Sequence, residues 1–403
     1  MLRKIDITQV CVGMYCSSWV EINSKPKQDF FINNQIVLDQ VIDSGVKDIF
    51  IDVSKGMDIV IEESTQPFIN KIVSPIIQKS LIKPLSNTLN DELNLASKIV
   101  ERSKNAIDSM FHEARMGKAI NIEDAVSIVE EVTASVMRNP DALIGIVRLK
   151  TKDNYTYMHS VAVCALMVSL AKQLALSEKQ TREAGLAGLL HDIGKMAIPS
   201  DILNNSGKLT DVEFEVIKNH PMAGYQILLE GGQICEVALD VCLHHHERMD
   251  GAGYPQCLSG DAISQFARMG AVCDVYDAIT SNRSYKQGWC PSESLRQMAE
   301  WKGHFDPAIF QAFVKCIGIY PVGTLVRLKS GRLGVVIEQA VGKSLLLPKV
   351  RVFYSSNSRS YLMPQILDLA DSRVGDSIVA RENAEKWHLI DIDQYWLGEK
   401  PVV

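Results

Sequence analysis

The sequence lacks any C-x-x-C pair. Its nine cysteines (11, 16, 164, 235, 242, 257, 273, 290 and 316) are scattered and odd in number. That spacing excludes a disulfide framework and a cysteine-rich zinc site, and it fits reduced thiols in a cytoplasmic protein. Long apolar runs are also missing. The longest stretch, Val161–Ala171, is too short to cross a bilayer and is closed by Lys172. The start, MLRKIDITQVCVG, has basic residues but no apolar segment of useful length, so no secretory signal is expected. An excess of positive charge is absent too: 42 Lys and Arg stand against 48 Asp and Glu, for a net charge of −6. A surface for duplex DNA or RNA would show the opposite sign. An anionic substrate would therefore need a local positive centre, which bound metal ions could supply. No internal repeat or low-complexity tract is present. With 46% hydrophobic and 22% charged residues, the chain reads as globular, soluble and cytoplasmic, long enough for two or three domains.

Residues 1–70 read as a β-containing accessory domain. Within it KDIFIDVSKGMDIVIEE has two apolar stretches around Ser54–Gly56 and predicts a hairpin. Residues 71–139 form a helical linker region, with apolar residues at helical spacing from about 88 to 138 and a stop at Asn139-Pro140. The segment 140–318 is helical as well. Ser177 with Gln180 predicts a capping box opening a helix that reaches His191. Thr210 with Glu213 predicts another, ending at His220 before Pro221, and Ala262–Thr280 a third. Asp306-Pro307 is an N-cap and first-turn pair. Beyond Tyr320-Pro321, residues 319–403 form a β-rich extension, with a hairpin around Ser330-Gly331 and a further strand in KVRVFYSS. The expected fold class is thus multi-domain α+β: an all-α helical core between a small β-containing N-terminal domain and a small β-rich C-terminal extension.

Six of the nine histidines fall between 159 and 246. With acidic residues they run His159, His191-Asp192, His220, His244-His245-His246, Asp274. Several sit in or at the ends of apolar helices, where burying imidazole and carboxylate is costly unless they pair or bind metal. The donor set is nitrogen and oxygen without thiolate, which favours manganese, iron or a similar divalent ion over a closed structural zinc. A carboxylate such as Asp192 can bridge two ions, and two ions can acidify water and clamp a phosphate.

HDIGKMAIP (191–199) and HHERMDGAGYP (245–255), together with His159, His220 and Asp274, resemble the HD-GYP domain, a subgroup of the HD superfamily of metal phosphohydrolases. The resemblance covers roughly residues 140–318. It implies a helical catalytic bundle with a metal cluster that hydrolyses a cyclic dinucleotide, cyclic di-GMP or 3′,3′-cyclic GMP-AMP, to a linear dinucleotide and in some members onward to mononucleotides. Carried over position by position, it makes His159, His191, Asp192, His220, His245, His246 and Asp274 metal ligands, with Asp192 the bridge. Lys195 matches the motif lysine near the phosphate, where it would stabilise charge or protonate the leaving oxygen. Gly253, Tyr254 and Pro255 form the loop that shapes the substrate cleft. Arg283 and Lys286 match phosphate clamps. His244, the extra member of its triple, and Asp277 are assigned supporting roles.

Two departures stand out. Tyr155 occupies the place where some members carry a glutamate for a third metal, so two divalent transition-metal ions, iron or manganese, are expected. Ser284 stands where many members have proline. Two rivals remain: an inactive cyclic-dinucleotide sensor or interaction module, and an HD-type nucleotidase. The N-terminal region resembles the accessory domain often fused to these bundles. Regulation, homodimerisation or contact with a signalling partner is its expected role.

Overall fold

The computed structural model describes residues 2–7, 10, 14–18, 30–32, 37, 41, 48–52, 55, 89–118, 120–148, 155–203, 205, 207–232, 234–281, 288–339 and 344–397. The chain separates into two compact units, Met1–Lys83 and Pro84–Val403.

The first unit holds a sheet of β1 (Leu2–Asp6), β2 (Tyr15–Ser18), β3 (Phe30–Phe31) and β4 (Asp48–Asp52), in the order β1-β4-β2-β3. The period-2 pleat of β4 buries Ile49 and Ile51 while Phe50 stays exposed. Val10, Met14, Cys16, Ile32 and Val41 join them in the small core. The predicted hairpin around Ser54–Gly56 has β4 as its first arm, and its second arm lies outside the described residues. Both edges of β4 are already paired, to β1 and β2.

The second unit is a helical bundle followed by a sheet. The helical run expected from 88 to 138 is α1 (Leu89–Arg115) and α2 (Ile122–Arg138). Glu92 pins them together from a buried position on α1, accepting from Ser135 Oγ at 2.9 Å and Arg138 Nε at 2.8 Å. Asn139 ends α2 in extended backbone, and its side chain caps α3 (Pro140–Arg148) by accepting from Asp141 N and Ala142 N. Next come α4 (Tyr155–Gln173) and α5 (Glu178–Leu190), the latter with the Ser177/Gln180 capping box in place. Residues 157–171 of α4 are all buried, so this helix is apolar around its whole circumference because every side packs on protein. No helix among the described residues is long and apolar enough to cross a membrane.

The remaining helices are α6 (Ser200–Leu203), α7 (Asp211–Ile217), α8 (His220–Gly231), α9 (Glu236–His244), α10 (Gln265–Thr280), α11 (Pro291–Glu300) and α12 (Pro307–Ile317). Two expected boundaries are corrected. The helix opened by Thr210 stops at Ile217, and His220 begins a new helix rather than ending one. Pro221 explains this: a first-turn residue needs no N–H donor, so proline there opens a helix as readily as it closes one. The helix expected from Ala262 begins at Gln265, because Ala262 closes a 3₁₀ turn and the Ser264 hydroxyl caps Ala267 N.

The C-terminal sheet is antiparallel: β5 (Leu325–Leu328), β6 (Arg332–Glu338), β7 (Lys349–Ser355), β8 (Ser360–Asp368) and β9 (Ile378–Arg381), in the order β8-β7-β6-β5-β9. The hairpin at Ser330-Gly331 and the strand in KVRVFYSS appear as expected. The sheet region docks on α3, where Gln339 N donates to Asp141 Oδ2 at 2.9 Å and the buried Trp396 ring packs on Gly145. The architecture is α+β, with a helical core between β-containing ends.

Candidate metal centre

Five segments converge on one buried point. His159 lies on α4. His191 closes α5, and Asp192 sits in the turn that leads to the 3₁₀ turn Ile193–Ala197 carrying Lys195. His220 opens α8, His245 and His246 follow α9, and Asp274 and Asp277 lie on α10. Their convergence needs Gly194: a Cβ there would lie 2.0 Å from the His220 carbonyl oxygen and 2.3 Å from Gly224 N. Only glycine lets the Asp192 turn approach α8 this closely.

The side-chain atoms that could hold a metal ion fall into two groups, His159, His191, Asp192 and Asp274 in one and His220, His245 and His246 in the other. Asp192 faces both. Its Oδ2 is 3.2 Å from His159 Nε2 and 3.3 Å from His191 Nε2, while its Oδ1 is 3.3 Å from His220 Nε2 and 3.8 Å from His245 Nε2. Asp274 does the same more loosely, with Oδ1 3.1 Å from His159 Nε2 and Oδ2 3.9 Å from His246 Nδ1.

Backbone carbonyls set the orientation of the rings. His191 Nδ1 donates to Gly188 O at 2.8 Å, His220 Nδ1 to Ile217 O at 2.7 Å, and His245 Nδ1 to Val241 O at 3.0 Å. A carbonyl oxygen only accepts, so each Nδ1 carries a hydrogen and Nε2 is the ring atom turned inward. His159 Nδ1 meets Asp277 Oδ2 at 2.6 Å. Asp277 is thus a carboxylate that fixes this candidate ligand ring from behind.

The donor set fits a metal. His220 Nε2 and His245 Nε2 lie 3.3 Å apart, two inward ring nitrogens face to face. His191 Nε2 and Asp192 Oδ1 are buried and make no hydrogen bond. Buried polar atoms left without a partner are costly unless a cation sits among them.

Electrostatics point the same way. Burial opposes charge on His191, but Asp192 and Asp274 outweigh it and push the ring up to about 10. His159 is raised against burial by Asp192, Asp274 and Asp277. Asp192 and Asp274 are held well below the usual carboxylate range. Burial opposes this, but Lys195 and His191 outweigh it at Asp192, as His159 and His191 do at Asp274. On the other side, burial and the neighbouring imidazoles hold His245 well below its ordinary value; burial takes His246 to about 3, although Asp274 acts in the opposite direction. The two carboxylates therefore demand positive charge while His245 and His246 stay neutral donors.

The loop at 247–260 packs against one side of the centre, at His246. A Cβ at Gly253 would lie 2.5 Å from Arg248 N and 2.6 Å from the His246 carbonyl oxygen, so glycine lets this loop fold back on the His245-His246 segment. The Tyr254 ring stacks on His246 at 4.7 Å, and the Tyr254-Pro255 peptide is cis. Lys195 Nζ donates to Asp192 Oδ2 at 2.5 Å from a half-buried position. His244 turns away to Asp240 Oδ1 at 2.8 Å and takes no place in either ligating group. Arg283 and Lys286 lie outside the described residues, as do Ser284 and the Tyr155 side chain.

Some supporting residues escaped the sequence reading. Glu247 is buried and accepts from Gln256 N at 2.7 Å and Leu258 N at 3.0 Å, tying down the loop that carries Tyr254. The His304 carbonyl accepts from Met249 N at 3.2 Å, bracing the same loop from the turn before α12. The acidic residue after the histidine triple was a signal for the first; nothing local signalled the second.

Residues 139–309 match the family model described as the HD domain, and residues 2–125 match a domain of unknown function, DUF3391. A curated relative, cyclic di-GMP phosphodiesterase PA4108 of Pseudomonas aeruginosa, is 50% identical over 402 residues, which is 99% of this chain and 96% of that protein. The 3′3′-cGAMP-specific phosphodiesterase 1 of Vibrio cholerae is 30% identical over 256 residues, 61% of this chain and 54% of that protein. Among solved structures, Bd1817, an HDG"Y"P protein from Bdellovibrio bacteriovorus, aligns with a TM-score of 0.48 at 17% identity, over 78% of this chain and 99% of that chain.

Proposed function

This chain belongs to the HD-GYP family of metal-dependent phosphohydrolases, and from that membership we propose how its residues cleave their substrate. The protein is a phosphodiesterase that hydrolyses a cyclic dinucleotide, cyclic di-GMP or 3′,3′-cyclic GMP-AMP. Opening one of the two ring diesters yields a linear dinucleotide.

The proposed centre would hold two divalent ions, iron or manganese. His159, His191 and Asp274 would serve one and His220, His245 and His246 the other, with Asp192 available to both. Such ions supply Lewis-acid stabilisation of phosphate charge and acidify water to near-neutral pH. The observation that supports this most is the position of Asp192, whose two oxygens face different histidine groups.

The chain's own groups do the rest. Lys195 carries a proton at Nζ beside Asp192, placed to neutralise charge on the reacting phosphate and to protonate the leaving 3′ oxygen. Tyr254, with Gly253 and Pro255, walls the cleft beside His246. Arg283 and Lys286 are the proposed phosphate clamps. The catalytic segment in this reading is 140–318, with 1–70 an accessory domain for regulation, dimerisation or a signalling partner, 71–139 a helical linker and 319–403 a supporting extension. A cytoplasmic setting belongs to the same reading, since the eight described cysteines are all free.

Chromatography of the products from cyclic di-GMP and cyclic GMP-AMP, with Mn(II) or Fe(II) supplied, tests this. A linear dinucleotide from at least one substrate is expected. Retention of both substrates by metal-loaded protein would overturn the reading.

A further inference from the structure

We propose that Phe214 and Lys218, which belong to neither ligating group, form a second recognition wall for the half of the cyclic dinucleotide remote from the cleaved bond. Phe214 stacks on a purine, and Lys218 pairs with the phosphodiester that is not cut. The inference rests on the phosphodiesterase reading above and extends it to the outer part of the substrate.

The wall is built into α7. The Thr210/Glu213 capping box fixes the start of this helix, with Thr210 N donating to Glu213 Oε2 at 2.7 Å. Lys218 N donates to the Phe214 carbonyl at 3.0 Å, so the two side chains lie one turn apart on one face. The Lys218 ammonium is 4.9 Å from the Phe214 ring centroid and 6.0 Å from that of Tyr254. Tyr254 in turn stacks on His246. Phe214, the Lys218 ammonium, Tyr254 and His246 thus form a row from a 45% exposed ring to the metal centre. The helix that carries the wall also carries Ile217, whose carbonyl orients His220, so wall and centre are held in one register.

A cyclic dinucleotide presents what this row can recognise. Cleavage uses one diester; the second diester and two purine faces remain. An exposed aromatic ring gives a purine a stacking surface whatever its base edge. The ammonium can meet an anion at little cost, because its present partner is Glu215 at 2.6 Å in an i,i+3 pair on the surface, and such pairs are weak. A lone exposed phenylalanine would be unremarkable; one with a cation aimed from its own helix face toward the Tyr254 ring is not.

The test compares Phe214→Ala, Phe214→Trp and Lys218→Gln in the full chain loaded with Mn(II), on cyclic di-GMP and on bis(p-nitrophenyl) phosphate, which has neither base nor second diester. For Phe214→Ala the expected result is a rise in KM for cyclic di-GMP of about tenfold with kcat within about twofold, a loss at least about tenfold larger than on the small diester. Phe214→Trp restores KM, and Lys218→Gln makes KM for cyclic di-GMP less sensitive to salt. An unchanged KM in Phe214→Ala, or an equal loss on both substrates, would overturn the wall alone. Wild-type protein that cleaves the small diester but no cyclic dinucleotide would overturn the substrate reading, and the wall with it.

Discussion

His220 and His245 present their Nε2 atoms to each other across 3.3 Å, each ring fixed from behind by a backbone carbonyl. Two inward ring nitrogens that close can both point at one cation, and the proposed centre uses this pair to hold one. His245→Ala should lower bound metal from about two ions per chain toward about one, because the other group keeps its own donors. Elemental analysis after gel filtration reads this, and an unchanged metal content would show that His245 holds none.

Chelation should destabilise the bundle. Without cations, buried Asp192 and Asp274 must be neutralised by protons on neighbouring rings such as His191, and Asp192 Oδ1 stays without a hydrogen bond. Metal present at about a thousandfold over its Kd adds about 4 kcal/mol to folding. Thermal melts with and without EDTA should show Tm falling on chelation and recovering with Mn(II). Equal melts would count against a resident metal.

Asp277→Asn should act through His159. The carboxylate at 2.6 Å orients the ring and raises its basicity. The amide keeps the shape but not the charge, and loss of such a partner costs about 10–100-fold in metal affinity or activity. The distinguishing readout is metal affinity by competition with a chelating dye: an unchanged affinity with lowered kcat would place the effect elsewhere.

The candidate ligands that the fold brings together were legible in the sequence where the signal was local. His191-Asp192 and His245-His246 stand in short motifs, and capping boxes at Ser177 and Thr210 mark helix starts through side chains three residues apart. What was not legible depends on packing between distant segments. A supporting role for Asp277 was read from its place one turn after Asp274, but its partner His159, 118 residues away, was not, and the helix boundary at His220 turned on whether Pro221 closes one helix or opens the next. Glu247 reads as one more polar residue after the histidines until its two backbone partners in the loop are known.

Glu247→Gln should loosen the loop beside the centre. A carboxylate can receive the Gln256 and Leu258 N–H groups on separate oxygens; an amide offers one oxygen and turns a donor toward the other N–H. The mismatch costs about 1–3 kcal/mol. Hydrogen exchange at 256–258 should speed up and KM should rise, and unchanged exchange would contradict the tethering role.

Asp141 makes the junction between bundle and sheet sensitive to pH. Burial pushes its carboxyl up to about 6, the Gln339 N–H pulls it back in part, and Glu338 adds to the rise. The folded value lies above the unfolded one near 3.9. Its contribution to stability is therefore complete below about pH 4 and is lost as pH rises through about 6. Asp141→Asn should flatten the urea midpoint across that window and raise it above pH 6 relative to wild type. A variant that follows the wild-type pH curve would contradict this.

The most direct measurement of the central claim is the rate of linear dinucleotide release from cyclic di-GMP by wild-type protein and by Asp192→Ala, each with its metal content determined. Wild type should turn over with about two ions bound, and Asp192→Ala should lose turnover while Tyr254 and Lys195 remain in place. Undiminished turnover in Asp192→Ala would contradict a centre bridged by this carboxylate.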